Sequence, residues 1–389
     1  MGKESEGKRT KPASPQTPAS LSSTALSPTA LRREAERLDR ELLRLLNERA
    51  RVGAEAERLA ASAAGDSGAS EAAPVVDGPA LEALLAKVAE WNEGPLAGAA
   101  VASIYRELAS GWRALERKVS VAFLGPAYTY SHMATLYGFG ESVEAVPVGS
   151  ISAVFEEVNG GQSNFGVVPV ENSTDGRIAD TLDMFTRLRV RICGEVPLRI
   201  HHSLLGSGPR SGITEVHSKP QALSQCRNWL ARHLPTARLV EVASTVTAAQ
   251  TARQRPEVAA IAGVQAAAHY GLDVLAENIE DNASNVTRFF IIGEESAART
   301  GNDKTSIMFE VPHKPGALAD AMNIFKRAKL NLTWIESFPI ARPEGGYMFF
   351  IELDGHESDA RVAKAFKALA KKTIRLEVLG SYAKAEPVG

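Results

Sequence analysis

An apolar seam opens the patterned part of the chain. From Leu31 to Leu59, small and apolar residues recur at spacings of three and four, which predicts one long amphipathic helix with a single buried face. Arg49 lies on this seam. A seam arginine either extends its guanidinium to solvent or pairs with an acid, or it binds an anion inside a helical bundle. The pattern leaves these interpretations open.

Two shorter helical patterns follow a linker of small residues, Ala61–Gly78. Pro79–Trp91 begins with a proline, which suits the first turn of a helix. Leu96–Arg117 carries its apolar residues on one face. Residues 30–117 therefore predict a helical domain that pairs with a second copy.

From Val119 onward, short β-rich runs alternate with helical ones. The predicted strands are Val119–Phe123, Ala145–Val148, Phe165–Val170, Val190–Val196, His201–Leu205, Glu215–His217, Arg238–Val242, Ala259–Ala262 and Phe289–Ile292. Such alternation indicates an α/β domain with a mostly parallel sheet. Residues 118–294 are enough for two small lobes.

The last unit, residues 304–385, has the order βαββαβ, which is the ferredoxin-like pattern. The predicted strands are Thr305–Val311, Leu332–Ile340, Tyr347–Leu353 and Ile374–Leu379, and the predicted helices are Gly316–Arg327 and Asp359–Lys371.

Composition narrows the class of protein. The 389 residues predict two to three domains, and the net charge of -2 gives no general attraction to nucleic acid or an anionic membrane. Cys193 and Cys226 are the only cysteines, which excludes a disulfide scaffold and a cysteine-built metal site and suits the cytoplasm. No apolar stretch is long enough for a membrane span. Residues 1–29 are rich in Ser, Thr and Pro, which predicts a disordered tail.

Four motifs in the α/β region carry the candidate chemistry. They are Gly125-Pro126-Ala-Tyr-Thr129-Tyr-Ser131-His132, Gly166-Val-Val-Pro169-Val-Glu171-Asn172-Ser173, Ser218-Lys-Pro220-Gln221-Ala-Leu-Ser-Gln225-Cys226 and Asn285-Val-Thr287-Arg288-Phe289. In this order, and followed by a ferredoxin-like unit, they resemble prephenate dehydratase of the P-protein type. That family joins a chorismate-mutase-like helical domain, a two-lobed dehydratase domain like periplasmic binding proteins, and an ACT regulatory domain. The resemblance covers roughly residues 30–385.

The resemblance implies that prephenate, a dianion, loses its ring hydroxyl and CO2 to give phenylpyruvate. Aromatisation drives this reaction, so no metal, electron carrier or covalent nucleophile is required. A water-poor cleft of hydroxyls, amides and backbone N–H groups suffices. We therefore expect no cofactor.

In the family, the site lies between the two lobes and Thr287 is the residue tied most closely to catalysis. Its hydroxyl would hydrogen-bond the departing hydroxyl. Taken alone, Thr287 is better explained as a β-branched residue at a strand edge, but its place in the motif Asn285-Val-Thr287-Arg288-Phe289 favours the catalytic role. The residues expected to bind substrate are Ser131, Asn172, Ser173, Ser218, Gln225, Arg288 and Phe289. Turn and helix-cap roles would also explain Ser173 and Ser218, and Arg288 either pairs with a carboxylate or bridges the lobes.

Several other positions are open or depart from the family. The candidate acids, which the sequence does not rank, are Glu171, Glu280, Asp281, His132 and His217. Tyr128 stands where the family usually has glycine, and Lys219 where histidine is common. Neither change removes a group that the dehydration needs.

The helical domain departs further from its family. Arg32 and Arg49 match two arginines of the first helix, and Glu116 keeps a position of the last. Ala60 stands where a lysine is usual, and Trp112 where a small polar residue is usual. The rearrangement of chorismate needs a cation near the ether oxygen. We therefore expect a degenerate mutase domain, weak or inactive, that is retained for dimerisation.

The C-terminal unit resembles the phenylalanine sensor of this family. Gly316, Ala317 and Leu318 open a helix, where free backbone N–H groups suit a carboxylate. The second effector motif is matched by Asn331, Leu332, Glu336 and Ser337, but Phe338 replaces its usual arginine. A ferredoxin-like module used only for dimer contacts is the alternative.

Together these features favour a cytoplasmic prephenate dehydratase of phenylalanine biosynthesis, a homo-oligomer (dimer or tetramer) whose effector is phenylalanine. A bifunctional chorismate mutase/prephenate dehydratase is the alternative among enzymes. A non-catalytic amino-acid sensor is the second alternative, because two lobes around a cleft also describe ligand-binding proteins.

Overall fold

The structure, a computed structural model, describes residues 27–63, 78–116, 118–174, 176–294, 297–340 and 346–389. Most of the predicted disordered tail, through residue 26, lies outside the described residues, and so does most of the predicted linker, residues 64–77. Among the described residues, no helix is both long and apolar enough to cross a membrane.

The apolar seam forms one continuous helix, α1 (Pro28–Ala63), of 36 residues. This helix forms a unit separate from the rest of the chain. Its seam residues are largely in contact with solvent: Leu38 is 51% exposed, Leu42 56% and Leu59 56%. A helix of this kind gains most of its stability only when its apolar face is covered.

The second unit begins with two helices, α2 (Gly78–Trp91) and α3 (Gly98–Glu116). Helix α3 is hydrogen-bonded to the following α/β region. The Arg113 guanidinium donates to the Phe139 carbonyl at 2.9 Å, and the Glu107 carboxylate accepts from the Glu141 N–H at 3.0 Å.

The α/β region divides into two lobes. The first contains β1 (Ser120–Leu124), α4 (Tyr130–Phe139), β2 (Glu144–Val148), α5 (Ile151–Asn159), β3 (Phe165–Asn172), β4 (Gly176–Arg177), α6 (Ala179–Arg187), β5 (Arg191–Arg199) and the later β11 (Val286–Gly293). The second contains β6 (Ser203–Gly206), β7 (Glu215–Ser218), α7 (Pro220–Gln225), α8 (Arg227–His233), β8 (Arg238–Glu241), α9 (Thr245–Gln254), β9 (Val258–Ala262), α10 (Val264–Tyr270) and β10 (Asp273–Ala276).

Each lobe has its own sheet, in the order β2-β1-β3-β11-β5 with β4 beside β3, and β10-β6-β9-β7-β8. Most strands of each sheet run in one direction, as predicted, but each sheet also contains a reversed strand. Strand β11 is antiparallel to β3 and to β5, and β6 is antiparallel to β9 and to β10. The chain crosses between the lobes after β5 and returns after β10, and the return places β11 in the middle of the first sheet with reversed direction.

The last region is the predicted ferredoxin-like unit. Its elements are β12 (Asp303–Glu310), α11 (Ala317–Arg327), β13 (Leu332–Pro339), β14 (Tyr347–Asp354), α12 (Ala360–Leu369) and β15 (Arg375–Ala383). The sheet order is β13-β14-β12-β15.

The ferredoxin-like sheet is covered on both faces. Ile307, Phe309 and their neighbours pack under α11 and α12, whereas Met308, Phe350 and Tyr382 share a core with the first lobe. Burying a side chain such as Phe350 contributes roughly 2–3 kcal/mol. Side chains alternate between the two faces of each strand. One face of the ferredoxin-like sheet therefore packs on its own helices, and the other packs on the lobe that contains β11.

Candidate active site

The centre of the candidate site is a pair of neighbouring strands, β3 and β11. Asn172, the last residue of β3, lies directly opposite Thr287 on β11. Both strands consist mainly of β-branched, aromatic and other apolar residues, which favour a buried strand. The second and fourth motifs of the sequence are therefore brought together by sheet pairing.

A backbone donor fixes the orientation of the Asn172 amide. The Thr174 N–H donates to Asn172 Oδ1 at 2.9 Å, so Nδ2 must face the other way. Nδ2 donates to Thr287 Oγ1 at 2.8 Å and to Asn285 Oδ1 at 2.9 Å. Since Thr287 Oγ1 accepts this hydrogen bond, its own hydroxyl hydrogen can be donated to a bound group.

The hydrogen bonds continue from the first lobe into the second. Asn285 Nδ2 donates to Gln225 Oε1 at 3.0 Å. The same oxygen lies 2.9 Å from His202 Nε2, and His202 Nδ1 lies 2.9 Å from the Tyr130 hydroxyl. We call the set Thr287, Asn172, Asn285, Gln225, His202 and Tyr130 the cleft chain.

The cleft chain carries no formal charge at neutral pH. Burial lowers the pKa of His202 and raises the pKa of the Tyr130 phenol well above its usual value. The remaining members are amides and a hydroxyl. A largely buried set of neutral, mutually satisfied groups is rigid, and its hydrogen bonds are strengthened by the low local dielectric.

Sequence reasoning did not select three members of this chain: Tyr130, His202 and Asn285. Tyr130 and Asn285 belong to motifs that were recognised, but neither was given a role. His202 belongs to a predicted strand and carried no motif signal. Tyr130 and Asn285 could have been found from their position in the sequence, because both lie within recognised motifs.

The other predicted substrate-binding residues lie at varied distances from the cleft chain. Ser173 is exposed, and its Oγ accepts from the Val286 N–H at 3.0 Å. Ser218 is fully buried and donates to the Ile261 carbonyl at 2.7 Å. Ser131 is buried on α4, and Phe289 is buried in the core of the first lobe. Arg288 points to the opposite face of β11 from Thr287.

The candidate acids are mostly engaged in local structure. Asp281 accepts from the N–H groups of Asn228 and Trp229 at the start of α8, and His217 is paired with Glu215 at 2.8 Å. Glu280 accepts from the His202 N–H at 2.8 Å and lies 2.8 Å from His201 Nδ1. Burial lowers the pKa of His132. Glu171 is partly exposed and lies 3.3 Å from Arg288.

Tyr128, the departure from glycine, makes a second contact between the lobes. Its φ of 66° lies in the left-handed region, where a non-glycine residue is strained. Its ring is stacked on that of His269 in α10, with centroids 3.8 Å apart.

The opposite face of β11 carries a charged cluster. Arg288 Nη1 lies 2.7 Å from Glu352 Oε2, and Lys304 Nζ bridges Glu352 at 3.3 Å and Glu195 at 3.0 Å. The guanidinium also lies 4.9 Å from the centroid of the Trp334 ring. Although burial opposes it, the neighbouring cations hold the pKa of Glu352 below its usual range. This cluster joins β11 to the ferredoxin-like sheet.

The predicted effector residues lie on two parts of the ferredoxin-like unit. Gly316 has a φ of 81° before α11, with Ala317 and Leu318 in its first turn. Asn331 Nδ2 donates to Asp354 at 2.8 Å, and Leu332 begins β13. Further along β13, Glu336 is paired with Arg177 of β4 at 2.6 Å, and Arg177 also donates to the Ser337 carbonyl. Phe338, which replaces the usual arginine, packs against the shared core with the first lobe.

The residues matched to the mutase lie on separate helices. Arg32 and Arg49 are on α1. Glu116 ends α3, but its side chain lies outside the described residues. In the parts of the chain that are described, no cluster of three or more His, Cys, Asp or Glu could hold a metal ion.

Comparison with known families assigns the three regions. The family described as chorismate mutase type II matches residues 31–117, prephenate dehydratase matches 121–297, and the ACT domain matches 305–371. The predicted fold class, with a helical domain, a two-lobed α/β domain and an ACT domain, is confirmed.

Relatives match nearly the whole chain. A bifunctional chorismate mutase/prephenate dehydratase of Pseudomonas aeruginosa is 42% identical over 359 residues, covering 92% of this chain and 97% of the relative. One of Aquifex aeolicus is 41% identical over 360 residues, covering 91% and 97%. The crystal structure of prephenate dehydratase from Arthrobacter aurescens in complex with L-Phe has 35% identity and a TM-score of 0.65, and covers 70% of this chain and 92% of that one.

These comparisons overturn one expectation. The prediction of a degenerate mutase domain, and with it the preference for a dehydratase with a single activity, is wrong, because the mutase family matches the helical domain and the relatives are bifunctional. The prediction rested on counting positions to Ala60 and Trp112. Such a count does not identify the cations of a pocket whose ligands come from different helices.

Proposed function

Because this chain belongs to the family of bifunctional chorismate mutase/prephenate dehydratases, we propose that it catalyses both reactions. The helical domain rearranges chorismate to prephenate. The two-lobed domain converts prephenate to phenylpyruvate, CO2 and water. The two steps belong to phenylalanine biosynthesis.

The observation that carries the dehydratase proposal is the orientation of the Thr287 hydroxyl. Asn172 Nδ2 occupies one lone pair of Oγ1 at 2.8 Å, which leaves the O–H to be donated to the hydroxyl that departs from the substrate ring. As that C–O bond breaks, the bond from the ring to its carboxylate supplies the electron pair that completes the aromatic ring, and CO2 is released. The departing hydroxide takes a proton and leaves as water.

The neutral cleft chain suits a dianionic substrate. A carboxylate among the residues of the cleft chain would repel prephenate. Amides can donate hydrogen bonds to the carboxylates of prephenate without a charge of their own. Asn172, Gln225, Ser173 and Ser131 are the residues that we propose to orient it. Ser218, which is fully buried and donates to the Ile261 carbonyl, supports the cleft from behind. Fixed dipoles in a closed cleft stabilise developing charge without reorganisation at the moment of reaction.

Phenylalanine is the proposed effector, bound by the ACT domain. Its carboxylate would lie at the start of α11, at Gly316, Ala317 and Leu318, where N–H groups have no carbonyl partner within the helix. The Ala317 N–H donates to the Lys314 carbonyl at 3.3 Å, so a bound carboxylate would compete with that bond. Two contacts support communication with the cleft. Thr287 and Arg288 are adjacent on β11, and Arg288 is paired with Glu352 of the ACT sheet at 2.7 Å.

The second contact joins β13, which carries proposed effector residues, to the hairpin formed by β3 and β4. Glu336 on β13 is paired with Arg177 on β4 at 2.6 Å, and β4 pairs with the end of β3 that carries Asn172. Binding at β13 can therefore shift an equilibrium that the cleft also senses, which is the requirement for allosteric coupling.

The mutase activity requires an oligomer in this proposal. Arg32 and Arg49 of α1 are the cations that we propose to bind chorismate. The seam on the same helix exposes Leu38 and Leu42 by more than half. A second copy of the chain would cover such a stripe, because two seams of this spacing can pack against each other.

The test is to supply prephenate to the purified chain, with and without L-phenylalanine. We expect phenylpyruvate to form, at a rate that falls when L-phenylalanine is added. A chain that binds L-phenylalanine but leaves prephenate unchanged would support the non-catalytic sensor instead.

A further inference from the structure

His202 lies where the chain first crosses between the lobes. It follows β5 and precedes β6, and it is 2% exposed. Its backbone N–H donates to Glu280 Oε2 at 2.8 Å, and its carbonyl accepts from the Ile279 N–H at 2.9 Å. Both partners belong to the segment in which the chain crosses back. The backbone of His202 is thus held by both crossing segments.

The partners of the imidazole define its protonation state. Gln225 Oε1 can only accept, so His202 Nε2 must carry the hydrogen of the 2.9 Å bond between them. Burial lowers the pKa of His202, so the ring holds a single proton at neutral pH. His202 Nδ1 is therefore an acceptor that faces the Tyr130 hydroxyl at 2.9 Å. The same hydroxyl also donates to the His201 carbonyl at 2.9 Å, so its single hydrogen is shared between two acceptors.

The directions of the hydrogen bonds from Asn172 to Gln225 agree with this assignment. The Thr174 N–H donates to Asn172 Oδ1 and so fixes the orientation of the Asn172 amide. Asn172 Nδ2 then donates to Asn285 Oδ1, which fixes the orientation of the Asn285 amide. Asn285 Nδ2 then donates to Gln225 Oε1 at 3.0 Å. The Gln225 oxygen is held by two donors, one from each side: Asn285 of the first lobe and His202 at the crossing.

His202 itself cannot reach a substrate through its ring nitrogens, since both are engaged. We propose that His202 is a positioning residue of the dehydratase, which holds the Gln225 amide in its working orientation through Nε2, while the Tyr130 hydroxyl contacts its other ring nitrogen. This inference rests on the proposed dehydratase function. It assigns roles to His202 and to Tyr130 of α4.

Two variants separate the positioning role from a packing role. His202→Gln keeps an N–H close to the place of Nε2, whereas His202→Asn has a shorter side chain and leaves Gln225 without its second donor. Because a small misplacement of a positioning group reduces turnover, we expect kcat for prephenate to fall by about 10- to 100-fold in His202→Asn and by less than about fivefold in His202→Gln. KM should change less than kcat in both.

Tyr130→Phe removes the hydroxyl that contacts His202 Nδ1 and the His201 carbonyl but keeps the bond between His202 and Gln225, so we expect a smaller loss of kcat, about three- to tenfold. Tyr137→Phe on the same helix and His233→Gln on the exposed face of α8 are the matched controls, and should retain the wild-type rate. Chorismate consumption by each preparation, together with its thermal unfolding midpoint, shows whether the chain is folded.

The outcomes separate the inference from the function on which it rests. If the wild-type chain does not convert prephenate, the proposed function fails. If it does, and His202→Asn retains full kcat or equals His202→Gln, the positioning role is wrong. If a variant does not fold, the comparison of Tyr130→Phe with Tyr137→Phe decides: equal kcat values would overturn the proposal, and a selective loss in Tyr130→Phe would support it.

Discussion

The dehydratase cleft and the helical domain differ in how far one chain completes them. In the cleft, Asn172, Asn285 and Thr287 contact one another directly. In α1, the seam that carries Arg49 leaves Leu42 and Val52 more than half exposed. The cleft is therefore assembled by the fold of a single chain, whereas the proposed mutase pocket needs a second copy. The two activities should respond independently to substitutions and differently to dilution.

The largest effect that sharpens this comparison is expected from Thr287→Val, which replaces the hydroxyl by a methyl group of similar size. Loss of one donor aimed at developing charge typically costs about 10²- to 10³-fold in kcat, and we expect this for prephenate. Chorismate consumption should be unchanged. Thr214→Val, at an exposed position of the second lobe, is the matched control. Equal loss of both activities in Thr287→Val would show that the two regions are not separable.

The reciprocal change is Arg49→Ala on α1. Removing a charged hydrogen-bond donor from a bound dianion should reduce the turnover of chorismate by about 10- to 100-fold, while prephenate is still converted at the wild-type rate. Arg40→Ala on the same helix removes an exposed arginine and serves as the control. Wild-type mutase activity in Arg49→Ala would remove this residue from the pocket.

Arg288→Met tests the charged cluster between the cleft strand and the ACT sheet. Because Glu352 would keep only Lys304 as a charged partner, we expect the free energy of unfolding to fall by about 2 kcal/mol and inhibition by L-phenylalanine to weaken. Arg299→Met removes a surface pair with Asp359 and should change stability by less than about 1 kcal/mol. Equal stabilities of the two variants in urea would contradict the assigned role of Arg288.

The smallest effect is a dependence on pH in the same cluster. Arg288 and Lys304 outweigh burial and hold the pKa of Glu352 in the folded chain below its ordinary 4.5. The stabilisation is therefore complete above pH 4.5 and is lost as the pH falls through the folded value. Between about pH 5 and pH 3, Glu352→Gln should lose less stability than the wild type, and the exposed control Glu156→Gln should follow the wild type. Identical curves for Glu352→Gln and the wild type would show that the cluster does not contribute.

The sequence predicted the three-domain architecture because periodicity and motifs are local. The ferredoxin-like order and the long helix α1 follow from such patterns. The antiparallel position of β11 could not be read in this way, because it depends on the return of the chain from the second lobe. The same return brings Asn285 to Asn172, a contact between residues far apart in sequence.

The candidate site could be predicted from the sequence only for residues that lie within a recognised motif. Asn172, Gln225 and Thr287 were selected from motifs and lie in one hydrogen-bonded chain. His202 was not selected, because its role depends on the two crossings between the lobes. The prediction for the helical domain failed for a related reason: the ligands of such a pocket come from several helices and cannot be counted along one.

In this proposal, one protein holds two separable activities that act in sequence. The most direct measurement supplies chorismate to the purified wild type and to Thr287→Val, and follows chorismate, prephenate and phenylpyruvate over time. The account predicts that the wild type forms phenylpyruvate, and that Thr287→Val consumes chorismate at the same rate but accumulates prephenate. If the wild type leaves chorismate unchanged, or if Thr287→Val forms phenylpyruvate as fast as the wild type, the account is contradicted.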